Sequence, residues 1–138
     1  MTEQDASSCL FCRIIRGELP SHRVYEDDWV FAFLDIHPVG LGHTLIVPKQ
    51  HFENIHDIPV DVLGYIHQVA KKISEAQIKA LNPAGISIAQ NNGAAAGQII
   101  FHFHTHVIPK NSPDQQRVEM TNDDLARVAE ELKKALAQ

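Results

Sequence analysis

Cysteine is scarce in this chain, two residues among 138, so no disulfide framework staples it and an apolar core must hold it together. A chain of this length builds such a core as one domain, 1–138. The two cysteines, Cys9 and Cys12, stand three apart, and in a reducing compartment that pairing suggests a metal or redox site. A basic surplus is also missing. Lysine and arginine number 12 against 17 aspartates and glutamates, a formal charge of −5, which argues against a dedicated binder of DNA or RNA. A single nucleotide remains an admissible partner. No apolar run approaches the ~18 residues of a membrane span. Met1 to Ser8 is polar and acidic and reads as a flexible tail rather than a signal peptide. These absences lead us to expect a cytoplasmic protein without membrane contact. Repeats and low-complexity tracts are absent as well.

What is present is a succession of short β-rich and longer helical patterns. Cys9 to Arg16 carries apolar residues at helical spacing and stops at Gly17, so a short helix is expected, followed by a turn through Pro20. Arg23 to Glu26 reads as a short strand, Asp27-Asp28 as a turn, and Trp29 to Asp35 as a largely buried strand. Pro38, Gly40 and Gly42 break the chain before His43 to Val47, a β-rich run that Pro48 ends and that should pair antiparallel with the preceding strand. From about Asp57 to Leu81, Val62, Leu63, Ile66, Val69, Ala70, Ile73, Ala76 and Ala80 recur at three and four, predicting one long amphipathic helix ended by Asn82-Pro83. Gly85 to Gln90 reads as a strand, Asn91 to Ala96 as a tight loop, and Gln98 to Ile108 as the returning strand. After a polar stretch from Lys110 to Met120, Thr121 caps a last helix with Leu125, Val128, Ala129, Leu132 and Leu136 on one side. Strands in succession, one long helix inserted and one appended, make an α+β fold on an antiparallel sheet.

Chemistry concentrates in His102-Phe103-His104-Thr105-His106. On a strand, residues two apart share a face, so three imidazoles stand in a row with neighbours ~7 Å apart. Phe101, Phe103, Thr105 and Val107 fall on the packing face, and Pro109 is expected to stop the strand. A solvated polar face accounts poorly for such repetition beside a glycine-containing loop. A three-histidine metal site with an open position for water is one alternative. The other makes one histidine a nucleophile and its neighbours hydrogen-bond and acid/base partners, a division that suits phosphoryl and nucleotidyl transfer.

Gly97-Gln98 before this row and Val107-Ile108-Pro109 after it complete a pattern that resembles the signature of the histidine triad (HIT) family of nucleotide hydrolases and transferases. Cys9 to Ile15, Tyr25 to Asp28, Phe33 to Ile36 and Gly42 to Lys49 resemble its Hint-like and bacterial members in the same order. The resemblance implies a five-stranded antiparallel sheet with one long inserted helix and a C-terminal helix, two subunits joining as a homodimer. It implies a purine nucleotide hydrolase or nucleotidyl transferase with a covalent nucleotidyl-histidine intermediate, acting on nucleoside phosphoramidates or adenylylated amines. A dinucleoside polyphosphate hydrolase, or a nucleotide-binding regulatory protein with little turnover, is the alternative.

Residue by residue, the resemblance makes His104 the nucleophile, His106 its partner at phosphate and leaving group, His102 the residue that orients the row and His43 a supporting histidine. It makes Asp35 the acceptor of both ribose hydroxyls, Phe11, Ile14, Phe33 and Ile36 the walls around the base, and Asn91 and Gln98 phosphate or leaving-group contacts. Gly97 belongs to the loop before them, where small residues let a phosphate approach backbone N–H groups. Ile99 departs from the pattern, since Hint-like members often carry a small hydroxyl residue there, and an isoleucine leaves only its backbone N–H. Cys9 and Cys12, with His51 and His102, form a candidate closed Cys2His2 site, and the resemblance to a subset of bacterial members implies a structural zinc there. No organic cofactor is expected.

Overall fold

The computed structural model describes residues 8–138, so the expected tail lies, but for Ser8, outside the described residues. The elements are α1 (Leu10–Ile15), β1 (Arg23–Glu26), β2 (Val30–Leu34), β3 (Thr44–Pro48), α2 (Val60–Leu81), β4 (Gly85–Ala89), β5 (Thr105–Lys110) and α3 (Asn122–Leu136), with a single 3-10 turn at Ala94–Ala96. The strands form one antiparallel sheet in the order β1-β2-β3-β5-β4, which is the expected α+β architecture.

Alternation along the strands divides the sheet into two working faces. Val30, Ala32, Ile46, Phe103 and Val107 point to α2 and pack with its Ile66, Val69, Ala70 and Ile73. Phe31, Phe33, Leu45 and Val47 point the other way, to Phe11 and Cys12 of α1. The amphipathic pattern of α3 buries Leu125, Val128, Ala129 and Leu132 against Val24 and Leu34. Each such aliphatic side chain, fully buried, contributes ~1.5–3 kcal/mol. The Thr121 hydroxyl accepts from the Asp124 N–H at 3.1 Å, and the Asp124 side chain accepts from the Thr121 N–H, a capping box that starts α3 where expected.

Several boundaries move. The long helix begins at Val60 rather than Asp57, because the Asp57 carboxylate instead accepts from the N–H groups of Glu53 and Asn54 in the preceding turn. Trp29 is 64% exposed and outside β2, since Asp27 Oδ1 takes the N–H groups of both Trp29 and Val30 to close the β1-β2 turn. The returning strand starts only at Thr105, not Gln98, so His102 and His104 sit on irregular backbone where the Phe103 N–H reaches the Phe52 carbonyl at 2.7 Å. Pro109 lies inside β5 opposite Ile86 rather than ending the strand. The facing of the side chains survives these shifts: Phe103, Thr105 and Val107 are buried on the helix side, and the histidines occupy the other.

Candidate active site

The histidine segment leaves the loop after the Ala94–Ala96 turn and runs under α1, where Phe11 sets its ring edge against His102 and His104 at 5.9 and 5.2 Å between centroids. His104 and His106 follow one another along a cavity of about 800 Å³, their rings 5.1 Å apart. His102 is fully buried and belongs to a different cluster.

Around His104 the proton positions follow from the partners. Its Nδ1 lies 2.8 Å from the carbonyl oxygen of His102, which can only accept, so the proton sits on Nδ1 and Nε2 keeps a lone pair. Burial lowers the His104 pKa below its ordinary value, against the opposing pull of that carbonyl and of Asp35. The imidazole is therefore neutral at pH 7, as a nucleophile must be.

A second chain fixes the other two rings. The backbone N–H of Val39 donates to His43 Nδ1 at 3.1 Å, so the His43 proton is on Nε2, 2.9 Å from His106 Nδ1. His106 then carries its own proton on Nε2. Burial holds both rings neutral, pushing each down to about 4. Asp35 Oδ2, 3.7 Å from His43 Nε2, pulls the other way, and Arg117 offsets it by sharing that oxygen at 3.4 Å. Asp35, His43 and His106 are close enough together to resemble a cation site, but His43 presents a proton rather than a lone pair to the shared point.

The predicted substrate residues converge. Phe11, Ile14, Phe33, Asp35, Ile36, Asn91, Gly97 and Ile99 all line the cavity that His104 and His106 line. Asp35 is held in place by the N–H of His37, which donates to its Oδ1 at 2.8 Å. Ile99 stands 80% exposed, and Gly97 keeps a positive φ of 102° that favours glycine. Gln98 is the exception. It turns inward, 2% exposed, its amide donating to the carbonyls of Glu53 at 2.7 Å and Ile100 at 3.1 Å while accepting from the Gly93 N–H at 2.8 Å. It staples the loop and does not face the cavity. His43 also stays behind the wall, 1% exposed, and reaches the cavity through His106. Arg117 lines the cavity next to Asp35 and leaves no signal in the sequence, because it lies in a polar stretch with no motif around it.

Cys9, Cys12, His51 and His102 come together on the far side of Phe11, their ligand atoms within 4.8 Å of one another. Cys9 Sγ to His102 Nδ1 is 3.3 Å, Cys12 Sγ to His51 Nδ1 is 3.3 Å and Cys12 Sγ to His102 Nδ1 is 3.5 Å. A tetrahedron with zinc bond lengths has sulfur-to-nitrogen edges of ~3.5 Å, close to these three distances, so the donor set is compatible with zinc. His102 is prepared for it: its Nε2–H donates to the Pro48 carbonyl at 2.8 Å, leaving the Nδ1 lone pair toward the sulfurs. Cys9 Sγ in turn accepts from the Cys12 N–H at 3.4 Å. Burial and the adjacent Cys9 push the Cys12 thiol up to about 12.

A HIT domain profile matches residues 16–113. An uncharacterized HIT-like protein of Methanocaldococcus jannaschii is 45% identical over 128 residues, covering 91% of this chain and 98% of its own length. An adenosine 5'-monophosphoramidase of Candida albicans is 37% identical over 142 residues, covering 96% of this chain and 93% of its own. A solved structure described as a Zn-bound histidine triad family protein from Mycobacterium smegmatis superposes with a TM-score of 0.88 at 36% identity, covering 97% of this chain and 96% of that one.

Proposed function

The chain belongs to the histidine triad (HIT) domain family, and from that premise we propose that it is a purine nucleotide hydrolase or nucleotidyl transferase working through a covalent nucleotidyl-His104. Its substrates are nucleoside phosphoramidates or adenylylated amines. The observation that carries the reading is the 2.8 Å bond from His104 Nδ1 to the His102 carbonyl, which leaves a neutral imidazole with a free Nε2 on the wall of the cavity. The relative in Candida albicans, an adenosine 5'-monophosphoramidase, favours the phosphoramidate class.

Nε2 attacks phosphorus and forms the new N–P bond, while the bond to the leaving amine breaks with its electron pair going to that nitrogen. The amine takes its proton from water. The hydroxide left by that water then attacks the phosphorus, and the N–P bond breaks with its electron pair returning to Nε2, releasing the nucleoside monophosphate and restoring neutral His104. His106 offers Nε2–H as a donor to charge developing at phosphate and leaving group. Giving that proton away outright would draw the His43 proton after it while Val39 still donates to Nδ1 of His43, so His106 acts as a donor rather than as an acid that ionises. Asp35 accepts the ribose hydroxyls, and Phe11, Ile14, Phe33 and Ile36 hold the base.

The reading includes one structural zinc at Cys9, Cys12, His51 and His102. Cys9 and Cys12 with His51 and His102 would hold it as four protein ligands, tying α1 to the backbone that carries His104 and leaving no open position for water chemistry. It also includes a homodimer, because β4 leaves an open sheet edge with Ile88 45% exposed. Light scattering that returns a single 15.4 kDa chain would remove the dimer.

Mass analysis of protein quenched during turnover tests the mechanism. A nucleotide attached to His104 is expected; turnover without any adduct overturns it. A specific observation favours the second reading, a nucleotide-binding protein with little turnover: Ile99 presents only a hydrocarbon side chain to the cavity. Nucleotide binding with neither turnover nor adduct, across phosphoramidate and dinucleoside polyphosphate substrates, would establish that reading instead.

A further inference from the structure

The connection from β5 to α3 has no regular structure, yet its donors fall on three consecutive carbonyls of the segment that joins β2 to β3. An Arg117 guanidinium N–H donates to the carbonyl of His37, the Val118 N–H to that of Pro38 at 2.8 Å, and Gln115 Nε2 to that of Val39 at 2.9 Å. The N–H groups of the same segment serve the site. His37 donates to Asp35 Oδ1 at 2.8 Å, Val39 donates to His43 Nδ1 at 3.1 Å, and Pro38 has no N–H to give.

The peptide between Pro38 and Val39 joins the two sets. Its oxygen is held by Val118 and its hydrogen points at His43, and because a peptide group is planar, fixing one end fixes the other. Gly40 belongs to the same arrangement. A Cβ at Gly40 would stand 2.0 Å from the Pro109 carbonyl oxygen and 2.6 Å from Gln115 Nε2, so the segment reaches Gln115 only with a residue that lacks a side chain. Gln115 is itself anchored, accepting from the Asn111 N–H at 2.8 Å. Asp35 also attracts a proton to His43 Nε2, but at 3.7 Å it is beyond hydrogen-bond reach and is shared with Arg117.

We infer that Gln115, Arg117 and Val118 form a strap of positioning residues that decides which nitrogen of His43, and through it of His106, carries the proton. The kinetic part of this inference rests on the proposed phosphoryl chemistry; the tautomers belong to the resting protein. With the strap in place, Val39 donates to Nδ1 of His43, and His106 is left with an N–H for the cavity. Without it, the 35–43 segment can turn its peptide, and His106 would present a lone pair where a donor is needed.

Nitrogen-15 NMR of histidine at neutral pH reads the tautomers directly. In the wild type both His43 and His106 should carry the proton on Nε2, and a proton on His43 Nδ1 would overturn the inference at once. Gln115→Met keeps the length of the side chain and removes the donor. It should mix the two tautomers and lower kcat by ~10- to 100-fold with KM little changed, as loss of an outer hydrogen-bond partner does elsewhere. Unchanged tautomers and kcat in a folded Gln115→Met protein would also overturn it. Should that variant not fold, Arg117→Met, at a side chain 56% exposed, takes its place in the same NMR measurement: mixed tautomers support the strap and unchanged ones overturn it. If the wild type turns over no nucleotide at all, the proposed chemistry fails while the tautomers still decide the strap.

Discussion

Acid should unfold this protein through His43 before it reaches most carboxylates. The ring is 1% exposed, accepts from the Val39 N–H at Nδ1 and donates from Nε2 to His106, so a second proton would sit at Nδ1 facing another donor 3.1 Å away. Burial, with smaller contributions from Arg117 and His104, outweighs the attraction of Asp35 and puts its pKa at about 4. In the unfolded chain the same group titrates near 6.5. The folded pKa is the lower one, so the unfolded state binds the extra proton first. Stability is fully present above pH 6.5 and drains away as pH falls toward 4. A difference of that size corresponds to ~3 kcal/mol at most for His43. His106 shifts in the same direction and shares the bond, so the two together lose less than twice that. Urea unfolding of zinc-saturated protein between pH 7.5 and 5 should show the loss, and each proton taken up should contribute ~1.4 kcal/mol per pH unit. His43→Gln keeps an amide donor and an acceptor without a titration, and its curve should be flatter by up to about one proton. Parallel curves for the two proteins would refute the assignment of His43 as a buried neutral group.

Three other outcomes test the site. His104→Ala should cut turnover by ~10³-fold or more while nucleotide affinity changes little, because ribose and base contacts survive; near wild-type hydrolysis of a phosphoramidate would sink the nucleophile. Asp35→Asn should weaken nucleotide binding roughly tenfold to a hundredfold, since it removes charge-assisted bonds worth ~1.5–3 kcal/mol; equal losses for ribose and 2'-deoxyribose ligands in calorimetry would show that the carboxylate does not read the 2'-hydroxyl. Elemental analysis should find about one zinc per chain, and Cys9→Ser should lower Tm more than it lowers turnover per folded molecule; zinc-free protein prepared without chelator would remove the metal.

What can be read from residues alone follows from which contacts leave a pattern in residue type. Strands β2 and β3, the apolar face of α2 and the cap of α3 are legible, because a strand buried on both faces reads as a short apolar run, burial of one helix face imposes a period of three to four, and Thr121 with Asp124 is a capping pair. The start of β5 is not. A strand pattern through Gln98 to Thr105 is overridden there by particular partners, the Phe52 carbonyl for Phe103 and the Pro48 carbonyl and cysteine sulfurs for His102. His102 thus stands in the row by sequence and in the metal cluster by geometry.

The same distinction explains why the strap is invisible in the sequence. Gln98 looks like a substrate contact because its residue type matches a motif, yet it spends its amide on the carbonyls of Glu53 and Ile100. Val118, by contrast, acts through a backbone N–H that nearly any residue would supply, and Gln115 and Arg117 act on backbone carbonyls. Contacts to the main chain place no demand on the type of their partner. A polar stretch from Lys110 to Met120 therefore reads as a connector while holding the segment that aims two histidines. The residue types that carry chemistry can be found along a sequence by spacing, but the tautomer each histidine adopts is set by carbonyls, which every residue has, and N–H groups, which every residue but proline has. In this protein the direction of the His43–His106 proton chain depends on such groups at Pro38, Val39 and Val118.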